Sequence, residues 1–253
     1  MQAKDFEDLY ETEEKMWWFA GMREISAALL DEFCRKDFEN ILDIGCGTGL
    51  NLEWLKRYGV EASIKGLDLE AVALNFCRAR GENHLVQASA TDLPFPDRFF
   101  DLVTSFDVLV QIPGEGSDER AIAEMHRILK PGGIAFARAA AYQWMYSGHD
   151  VAVNTQRRYN LPELAQKLEN GGFTVLRKTY ANTLMFPAAV VRRMVLKKIG
   201  LADAGSDVKQ LPPSLAWLNR LLTRMMTWEA RYLKAKNRSL PFGLSAVCVV
   251  RKG

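Results

Sequence analysis

One stretch decides the fold of this chain: ILDIGCGTG at residues 41–49. Its first residues are mainly apolar and predict a short buried strand, and a helical pattern follows the glycines over 50–58. A Gly-x-Gly-x-Gly turn between a strand and a helix lets a ligand come close to the backbone and meets it with helix N–H groups. Asp43 stands inside the strand, where a dinucleotide site would have an apolar residue, and no Walker lysine follows the glycines. The stretch therefore predicts a cofactor-binding turn and excludes a P-loop.

Outward from this turn, short apolar runs alternate with helical patterns. Strands are predicted at 63–68, 85–88, 100–106 and 134–140, and helices at 71–80 and 117–129. This alternation is typical of βαβ units in a parallel sheet that is covered on both faces. After residue 141 the rhythm changes, and the pattern predicts a loop, a helix from 161, a strand over 173–180 and a closing strand over 243–251.

We interpret the chain as one α/β domain with helical additions at two places. Its predicted parts are an N-terminal helical cap at 1–36, a cofactor-binding core at 37–182, a helical lid insertion at 183–240 and a final strand at 241–253.

The predicted insertion is strongly basic, with 11 Lys plus Arg against 3 Asp plus Glu, whereas the whole chain has 33 against 31. Apolar residues at spacings of three and four form one stripe along a predicted helix: Leu218, Leu221, Met225, Trp228 and Tyr232. Several interpretations stay open at this point. The helix is a lid packed on the sheet with a solvated basic back, or it covers a hydrophobic substrate pocket, or its basic face attracts acidic substrates or membrane headgroups.

Composition narrows the class of protein. A net charge of +2 is too small for a general nucleic-acid binder. Four cysteines without a Cys-x-x-Cys pair favour free thiols in a reducing cytoplasm over a disulfide framework or a zinc site, so we predict no metal. The N-terminus lacks the apolar region of a signal peptide, and Arg192 and Arg193 interrupt the longest apolar stretches, so we expect no membrane span. We predict a cytoplasmic monomer or homodimer with at most weak membrane-surface contact.

Several motifs between residues 40 and 140 resemble the class I S-adenosylmethionine-dependent methyltransferases, in the branch that methylates small molecules and lipid quinones. They are LDIGCGTG, GLDLE, ASATDLPFPD, FDLVTSFDVL and EMHRILKPGG. The flanks are similar to one bacterial subgroup of that family through WWFAGMR, HDVAVNTQRRY and LPFGLS. The resemblance implies a Rossmann-like α/β fold, whose seven-stranded and mostly parallel sheet has one antiparallel strand. It also implies S-adenosylmethionine as cofactor, S-adenosylhomocysteine as product, and a small organic acceptor that is hydrophobic or aromatic.

The resemblance also assigns the cofactor site residue by residue. It puts the methionine part against the backbone of Gly45, Cys46 and Gly47, and it gives Asp43 the role of orienting that turn or contacting the amino group. Asp68 ends the next strand, where a carboxylate can accept hydrogen bonds from both ribose hydroxyls. The other predicted cofactor contacts are Leu69 on adenine, Ser89 and Ala90 at the adenine edge, Phe106 at the end of the fourth strand, and Phe19 and Arg23 from the cap. The family often has Asp at the Ser89 position.

Candidates for the acceptor side lie mostly in the loop after the fifth strand, which in this family opens over the methyl-donor end of the site. An O–H or N–H acceptor needs a general base, for which His149 and Tyr159 are the candidates. The predicted substrate contacts are Trp18, Arg157, Arg158 and Trp228. Arginine can bind a carboxylate or phosphate through two hydrogen bonds. A hydrogen bond within the loop for His149 and surface ion pairs for the two arginines are the alternatives.

Two other functions fit part of the pattern. A nicotinamide-dependent oxidoreductase uses a similar glycine turn, but Asp43 argues against it. A non-catalytic protein that binds S-adenosylmethionine without turnover is the second alternative. A nucleic-acid methyltransferase is disfavoured, because residues 105–108 read SFDV and not the Asn/Asp-Pro-Pro-Tyr/Phe tetrapeptide that holds a flipped base. We therefore predict a small-molecule acceptor and no nucleic-acid partner.

Overall fold

The computed structural model describes residues 3–59, 64–198 and 212–253. The strands in these residues are β1 (Ile41–Ile44), β2 (Ile64–Asp68), β3 (Leu85–Gln87), β4 (Phe100–Phe106), β5 (Leu129–Ala140), β6 (Phe173–Ala181) and β7 (Ser245–Lys252). They form one seven-stranded sheet in the order β3-β2-β1-β4-β5-β7-β6. β7 runs antiparallel to β5 and β6, and the other neighbouring strands pair in parallel.

Helices cover both faces of this sheet. They are α1 (Ala3–Thr12), α2 (Trp17–Leu30), α3 (Leu50–Leu55), α4 (Ala71–Ala79), α5 (Ser117–Ile128), α6 (Gly148–Ala152), α7 (Leu161–Asn170), α8 (Phe186–Lys198) and α9 (Ala216–Lys234). One core cluster packs α5 and α7 against the sheet, and a second cluster packs α2, α3, α4 and α9 against it.

The structure confirms the predicted fold class and the mixed sheet. β1 and β4 have the predicted bounds, because β1 is buried throughout and β4 is buried at five of its seven positions, as strands covered on both faces require. β5 begins earlier than predicted, at Leu129. The register between β4 and β5 shifts in this part, from Phe100 opposite Leu129 to Leu102 opposite Ile134, so the Lys-Pro-Gly-Gly segment is an irregularity inside the strand.

An aromatic cluster near the N-terminus begins the second helix of the cap. Trp17, Trp18 and Phe19 form the first turn of α2. The amide of Trp17 donates to Asn219 Oδ1 over 2.9 Å, so a side chain of α9 receives one of the free N–H groups at the start of α2.

The orientation of α9 also corrects the sequence interpretation. Its buried residues are Met226, Glu229, Ala230 and Leu233, and this face packs along α2. The predicted core stripe lies largely on the other side, where Trp228 is 70% exposed. The physical reason is the close approach of the two helices, since a Cβ on Gly21 of α2 would lie 2.4 Å from the Cβ of Met226.

The strand order fixes where a ligand can bind. The chain runs from β1 outward to β3 on one side and continues from β4 on the other side. The loops after β1 and β4 therefore leave the sheet in opposite directions and open a crevice at the carboxyl ends of these strands. The glycine turn lies directly after β1, at this crevice.

Candidate active site

The glycine turn has a backbone that only glycine adopts without strain. Gly45, Gly47 and Gly49 have φ angles of 69°, 55° and 91°. A Cβ on Gly45 would lie 2.2 Å from Cγ2 of Val108, so a side chain there would also collide with the loop after β4. The amides of Gly45 and Cys46 donate to the carbonyl of Leu67 over 2.7 and 2.9 Å. The turn is therefore fixed to β2 and leaves a bare stretch of backbone beside the crevice.

Asp68 has the carboxylate that ribose recognition requires. Its Oδ2 accepts the Gly47 amide over 3.0 Å, and its Oδ1 accepts the Glu70 amide over 3.0 Å. Burial raises the pKa of the Asp68 carboxyl, and these backbone hydrogen bonds oppose that rise. An ionised carboxylate has about four lone-pair sites, so accepting two amides leaves capacity for two hydroxyls. The residues present therefore fit the ribose of S-adenosylmethionine.

The predicted adenine contacts lie beside Asp68. Leu69 follows it with a side chain that is 61% exposed, and its carbonyl accepts the Gln87 side chain over 3.0 Å. Ser89 lies just after β3, where its hydroxyl pairs with that of Thr91 over 2.8 Å, and Ala90 is half-buried next to it. These residues follow the carboxyl ends of β2 and β3 and do not line the cavity described below, and their contact with adenine stays a prediction.

Asp43 lies under the glycine turn and not in the wall of the crevice. It is fully buried, and its Oδ1 accepts the hydroxyl of Thr104 over 2.7 Å. Its Oδ2 has no hydrogen-bond partner among the described residues. Burial raises the pKa of Asp43 to about 7, although the Thr104 hydrogen bond and the charge of Arg138 oppose this. This position fits the predicted role of orienting the turn.

A cavity of about 540 Å³ connects the glycine turn to the helical additions. The predicted residues that line it are Trp18, Phe19, Arg23, Gly45, Cys46, Gly47, Phe106, His149 and Arg158. Helix α8 lines it too, with Ala188, Ala189, Arg192 and Arg193. The cap and the segment after β6 therefore share one cavity with the predicted cofactor turn.

Sequence reasoning missed an arginine inside the cavity. Arg138 lies in β5 and donates to Asp107 Oδ2 from Nε over 2.8 Å. Its guanidinium carbon lies 5.2 Å from the ring centre of Trp18 and 5.1 Å from that of Phe106. These cation–π contacts tie both rings to Arg138, and all three residues line the cavity. The signal in the sequence that could have indicated this arginine is its position as a charged residue in the middle of a buried strand.

Sequence reasoning also missed the buried contact that joins the cap to the glycine turn. The Thr48 hydroxyl donates to the carboxylate of Glu13, which is buried in the turn between α1 and α2. Arg80 pairs with Glu13 over 3.0 Å and donates to the Thr48 carbonyl over 3.0 Å, while its guanidinium lies over the ring of Tyr10. Burial raises the pKa of Glu13, and the Thr48 hydrogen bond and the Arg80 charge oppose that rise. No local pattern connects these residues, which are far apart in sequence.

The loop after β5 places its candidates in different environments. His149 lines the cavity. The neighbouring Asp150 is fully buried, where its carboxylate accepts Arg158 Nε over 2.7 Å and the Ser147 amide over 2.8 Å. Arg158 also donates to the Ala141 carbonyl over 3.0 Å. Arg158 therefore holds the loop closed while it lines the cavity, and its contact with a substrate stays a prediction.

The structure corrects the predictions for Tyr159 and Arg157, because both side chains point toward Asp118 and not into the cavity. Tyr159 is buried in the core, and its hydroxyl donates to Asp118 over 2.6 Å. Arg157 Nη1 lies 2.7 Å from the other oxygen of Asp118, and its Nη2 donates to the carbonyls of Ile112 and Gly114. Neither residue lines the cavity. The reason is the buried carboxylate of Asp118 at the start of α5, which pairs with both side chains and gives each of them a structural contact away from the cavity.

The structure also corrects the prediction that Trp228 contacts substrate. The residue points outward from α9, on the face opposite the packing with α2, and it does not line the cavity. The prediction that it contacts substrate assumed that the apolar stripe faced inward, which the buried position of Met226 contradicts.

Comparisons with known proteins agree with this site. The family model "Methyltransferase domain" matches residues 42–137. A protein named as a methyltransferase from Encephalitozoon cuniculi is 33% identical over 155 residues, which cover 54% of this chain and 70% of the relative. A fatty-acid O-methyltransferase of Mycolicibacterium smegmatis is 30% identical over 57% of this chain and 47% of its own length, so the chain spans about half of that relative. A malonyl-[acyl-carrier protein] O-methyltransferase of Salmonella typhimurium is 29% identical over 72% of each chain.

Solved structures share the fold. An S-adenosylmethionine-dependent methyltransferase from Archaeoglobus fulgidus has a TM-score of 0.56 at 18% identity, over 91% of this chain and 94% of that one. The 4+2 cyclase SpnF has a TM-score of 0.58 at 23% identity, over 92% of this chain and 80% of that one. At these identities the likeness concerns the fold alone.

Together the family model, the relatives and the glycine turn place this chain in the class I S-adenosylmethionine-dependent methyltransferase family. It is an enzyme whose cofactor is S-adenosylmethionine. The nicotinamide-dependent and non-catalytic alternatives are not favoured, because the relatives are named as methyltransferases.

Proposed function

We propose that this enzyme transfers a methyl group to a small hydrophobic molecule bound between the glycine turn and α8. The observation that carries the proposal is the cavity of about 540 Å³ that joins the backbone of Gly45 and Gly47 to the apolar side chains of Phe19, Met22 and Met185. An acceptor in this cavity lies next to the predicted methionine part of the cofactor. Holding two reactants in line in this way supplies a large part of the rate of a displacement reaction.

The residues of the chain have distinct parts in this reaction. Bound S-adenosylmethionine supplies an electrophilic methyl group on a sulfonium. Asp68 would accept the ribose hydroxyls, and the glycine turn would bind the methionine part. Arg23 lines the cavity, where it is attracted by the charge of Glu13, and it is the candidate to pair with the methionine carboxylate. Trp18 and Phe106 would exclude water from the reacting centre.

We further propose that the reacting group of the acceptor is a carboxylate. Helix α8 carries several basic residues and no acidic one, and both Arg192 and Arg193 line the cavity beside Ala188 and Ala189. A wall that is apolar along one part and cationic at another fits a carboxylate attached to a hydrocarbon chain. Two relatives support this choice by name, since a fatty acid and a malonyl group both offer a carboxyl group for O-methylation.

A carboxylate acceptor changes what the site must do. One carboxylate oxygen of the acceptor would take the methyl group that bound S-adenosylmethionine supplies, and S-adenosylhomocysteine would leave with the electron pair of the broken carbon–sulfur bond. No proton moves, so the reaction needs alignment and charge but no general base.

A direct test uses the purified protein with S-adenosylmethionine and a panel of matched compounds. Each member is offered as a fatty acid, as the corresponding alcohol and as the corresponding amide, and S-adenosylhomocysteine formation is measured. We expect turnover with the acids. Methylation of alcohols or amides without methylation of any acid would contradict the carboxylate, and the absence of turnover on every panel with confirmed cofactor binding would contradict the hydrophobic acceptor.

Arg192→Gln is expected to raise KM for carboxylate acceptors about fivefold, which corresponds to about 1 kcal/mol for a partly exposed charge. KM for uncharged acceptors and the affinity for S-adenosylhomocysteine should stay the same. Steady-state kinetics would measure the effect, with Arg120→Gln on the exposed side of α5 as the matched control. An equal rise of KM for acids and for uncharged analogues would show that the arginine only shapes the cavity.

The effect of His149→Ala on turnover depends on whether the acceptor is a carboxylate or carries an O–H or N–H group. With a carboxylate we expect turnover to fall less than about tenfold, because the residue has no proton to remove. With an O–H or N–H acceptor, the predicted general base would make the loss about 10²–10⁴-fold. Single-turnover rates at saturating cofactor and neutral pH would measure this. A large loss with a carboxylate acceptor would overturn the base-free mechanism.

A further inference from the structure

Helix α9 is held in one rotational position, so its outer face is well defined. On the inner side, Asn219 accepts the Trp17 amide and donates to the Lys15 carbonyl, each over 2.9 Å. The buried carboxylate of Glu229 accepts the amides of Asn182 and Thr183. Met226 packs so closely on Gly21 that a Cβ on Gly21 would lie 2.4 Å from the Met226 Cβ, so Met226 lies on the inner side of the helix.

The outer face carries a stripe of large apolar side chains. Trp217 is 58% exposed, Leu221 45%, Trp228 70% and Tyr232 41%. At 100° per residue these four fall within about 60° of arc, on the side opposite Met226. Two tryptophans on the solvent side of one helix are unusual for a surface that stays in water, so the stripe marks an interaction site.

Cations lie directly beside this stripe. Arg220, Arg224 and Arg231 are exposed and occupy the adjoining arc of about 60°. Lys234, Lys236 and Arg238 are exposed after them. The acidic residue in 212–240 is Glu229, and it is buried. The outer face therefore presents positive charge and aromatic rings with no exposed carboxylate of its own.

We propose that this outer face of α9 docks on the surface of an anionic phospholipid bilayer. Tryptophan and tyrosine prefer the boundary between water and hydrocarbon, since each ring is apolar and carries one polar group. Arginine reaches the headgroups from the same helix while its methylene stem lies on apolar surface. The charge complementarity with anionic headgroups selects this partner over a second copy of the chain, which would bring two cationic faces together.

The proposed contact is a surface contact. No described helix is both long enough and apolar enough to cross a bilayer. The helix would lie in the plane of the interface with its apolar stripe in the headgroup region, as amphipathic helices with a basic polar face do. Its inner face stays packed on α2, so docking requires no unfolding.

Vesicle sedimentation tests the proposal with the full chain. We expect the protein to sediment with vesicles of phosphatidylcholine and phosphatidylserine, to remain in solution with vesicles of phosphatidylcholine alone, and to be released by added salt. The double variant Trp217→Ala/Trp228→Ala should bind about tenfold more weakly or worse, and Arg224→Gln/Arg231→Gln should also bind more weakly. Trp144→Ala and Arg120→Gln, exposed outside α9, are the controls and should bind normally.

Three outcomes would overturn the proposal. The first is no binding of the wild type to anionic vesicles. The second is wild-type binding by the double tryptophan variant. The third is a dimer in analytical ultracentrifugation that disappears in this variant, with no vesicle binding, because a second copy would then cover the face. Circular dichroism and thermal unfolding check that each variant folds, and Leu221→Gln is a milder second variant should the double one fail to fold.

Discussion

Asp118→Ala is expected to lower the free energy of unfolding by about 3 kcal/mol. The carboxylate of Asp118 is fully buried and meets Tyr159 over 2.6 Å, Arg157 over 2.7 Å and Lys167 over 2.8 Å. Removing one partner of a buried ion pair costs about 3–5 kcal/mol. The lower end applies because Arg157 and Lys167 each reach water in part, whereas the Tyr159 hydroxyl would lose its carboxylate partner in the core. Urea denaturation at neutral pH would measure the change.

Glu119→Ala is the matched control for this prediction. Glu119 is the next residue on α5 and also pairs with Lys167, but it is exposed, so we expect a change below about 0.5 kcal/mol. Tyr159→Phe should cost about 1–2 kcal/mol through the lost hydrogen bond while turnover stays the same. A large loss of turnover in folded Tyr159→Phe would restore the catalytic role that the structure argues against.

The stability from Asp118 should depend on pH with a definite sign. Burial alone would raise the pKa of the Asp118 carboxyl, but the hydrogen bonds of Lys167 and Tyr159 and the charge of Arg157 outweigh burial and lower it. A carboxyl whose folded pKa is lowered stabilises the fold above its unfolded pKa of about 3.9. We therefore expect the difference in stability between wild type and Asp118→Asn to be constant near neutrality and to shrink as pH falls below about 4. A difference that grows on acidification would contradict this.

Asp68→Ala is expected to weaken S-adenosylhomocysteine binding at least tenfold. The carboxylate is the predicted partner of both ribose hydroxyls, and each hydrogen bond to a charged group is worth about 1.5–3 kcal/mol. The same carboxylate accepts the amides of Gly47 and Glu70, so its loss also frees the glycine turn. Isothermal titration calorimetry on protein that retains its thermal unfolding transition would measure the affinity.

Asp92→Ala is the control for Asp68, because Asp92 is an exposed carboxylate in the nearby loop. It should bind S-adenosylhomocysteine like the wild type. Asp68→Asn keeps one acceptor oxygen and should fall between wild type and Asp68→Ala. Unchanged affinity in a folded Asp68→Ala protein would remove Asp68 from the cofactor site.

The sheet was predictable because its strands are local features. Residues 41–44 are a continuous buried run and residues 100–106 are mostly buried, and such runs mark central strands without any knowledge of their partners. The side of α9 that faces the core was not predictable in the same way. Both faces of that helix carry apolar residues, and the face that packs is the one that meets Gly21. That complementarity joins residues that are distant in sequence.

The residues of the candidate site also differ in whether a local pattern or a contact between distant residues determines their position. The glycine turn and Asp68 belong to two neighbouring motifs of the family, so the sequence alone indicates them. In the sequence, residues 157–159 (RRY) also look like site residues, but the structure places them in different environments. Arg158 turns toward the cavity, whereas Arg157 and Tyr159 turn toward Asp118, which lies about 40 positions earlier in the chain. A pairing at that distance leaves no local pattern.

Some residues that line the cavity lie inside the segment that matches the family model, and others lie outside it. This has a consequence for how such enzymes diverge. The segment that matches the family model, residues 42–137, contributes the glycine turn, Asn51 and Phe106. Trp18, His149 and Arg192 come from outside it. Exchange of α8 between relatives would therefore change the acceptor side of the cavity and leave the cofactor scaffold in place. A graft of α8 is the natural unit for such a chimera, because this helix lines the cavity, leaves the strands of the sheet intact and does not carry Phe19 or Arg23, the proposed cofactor contacts of α2.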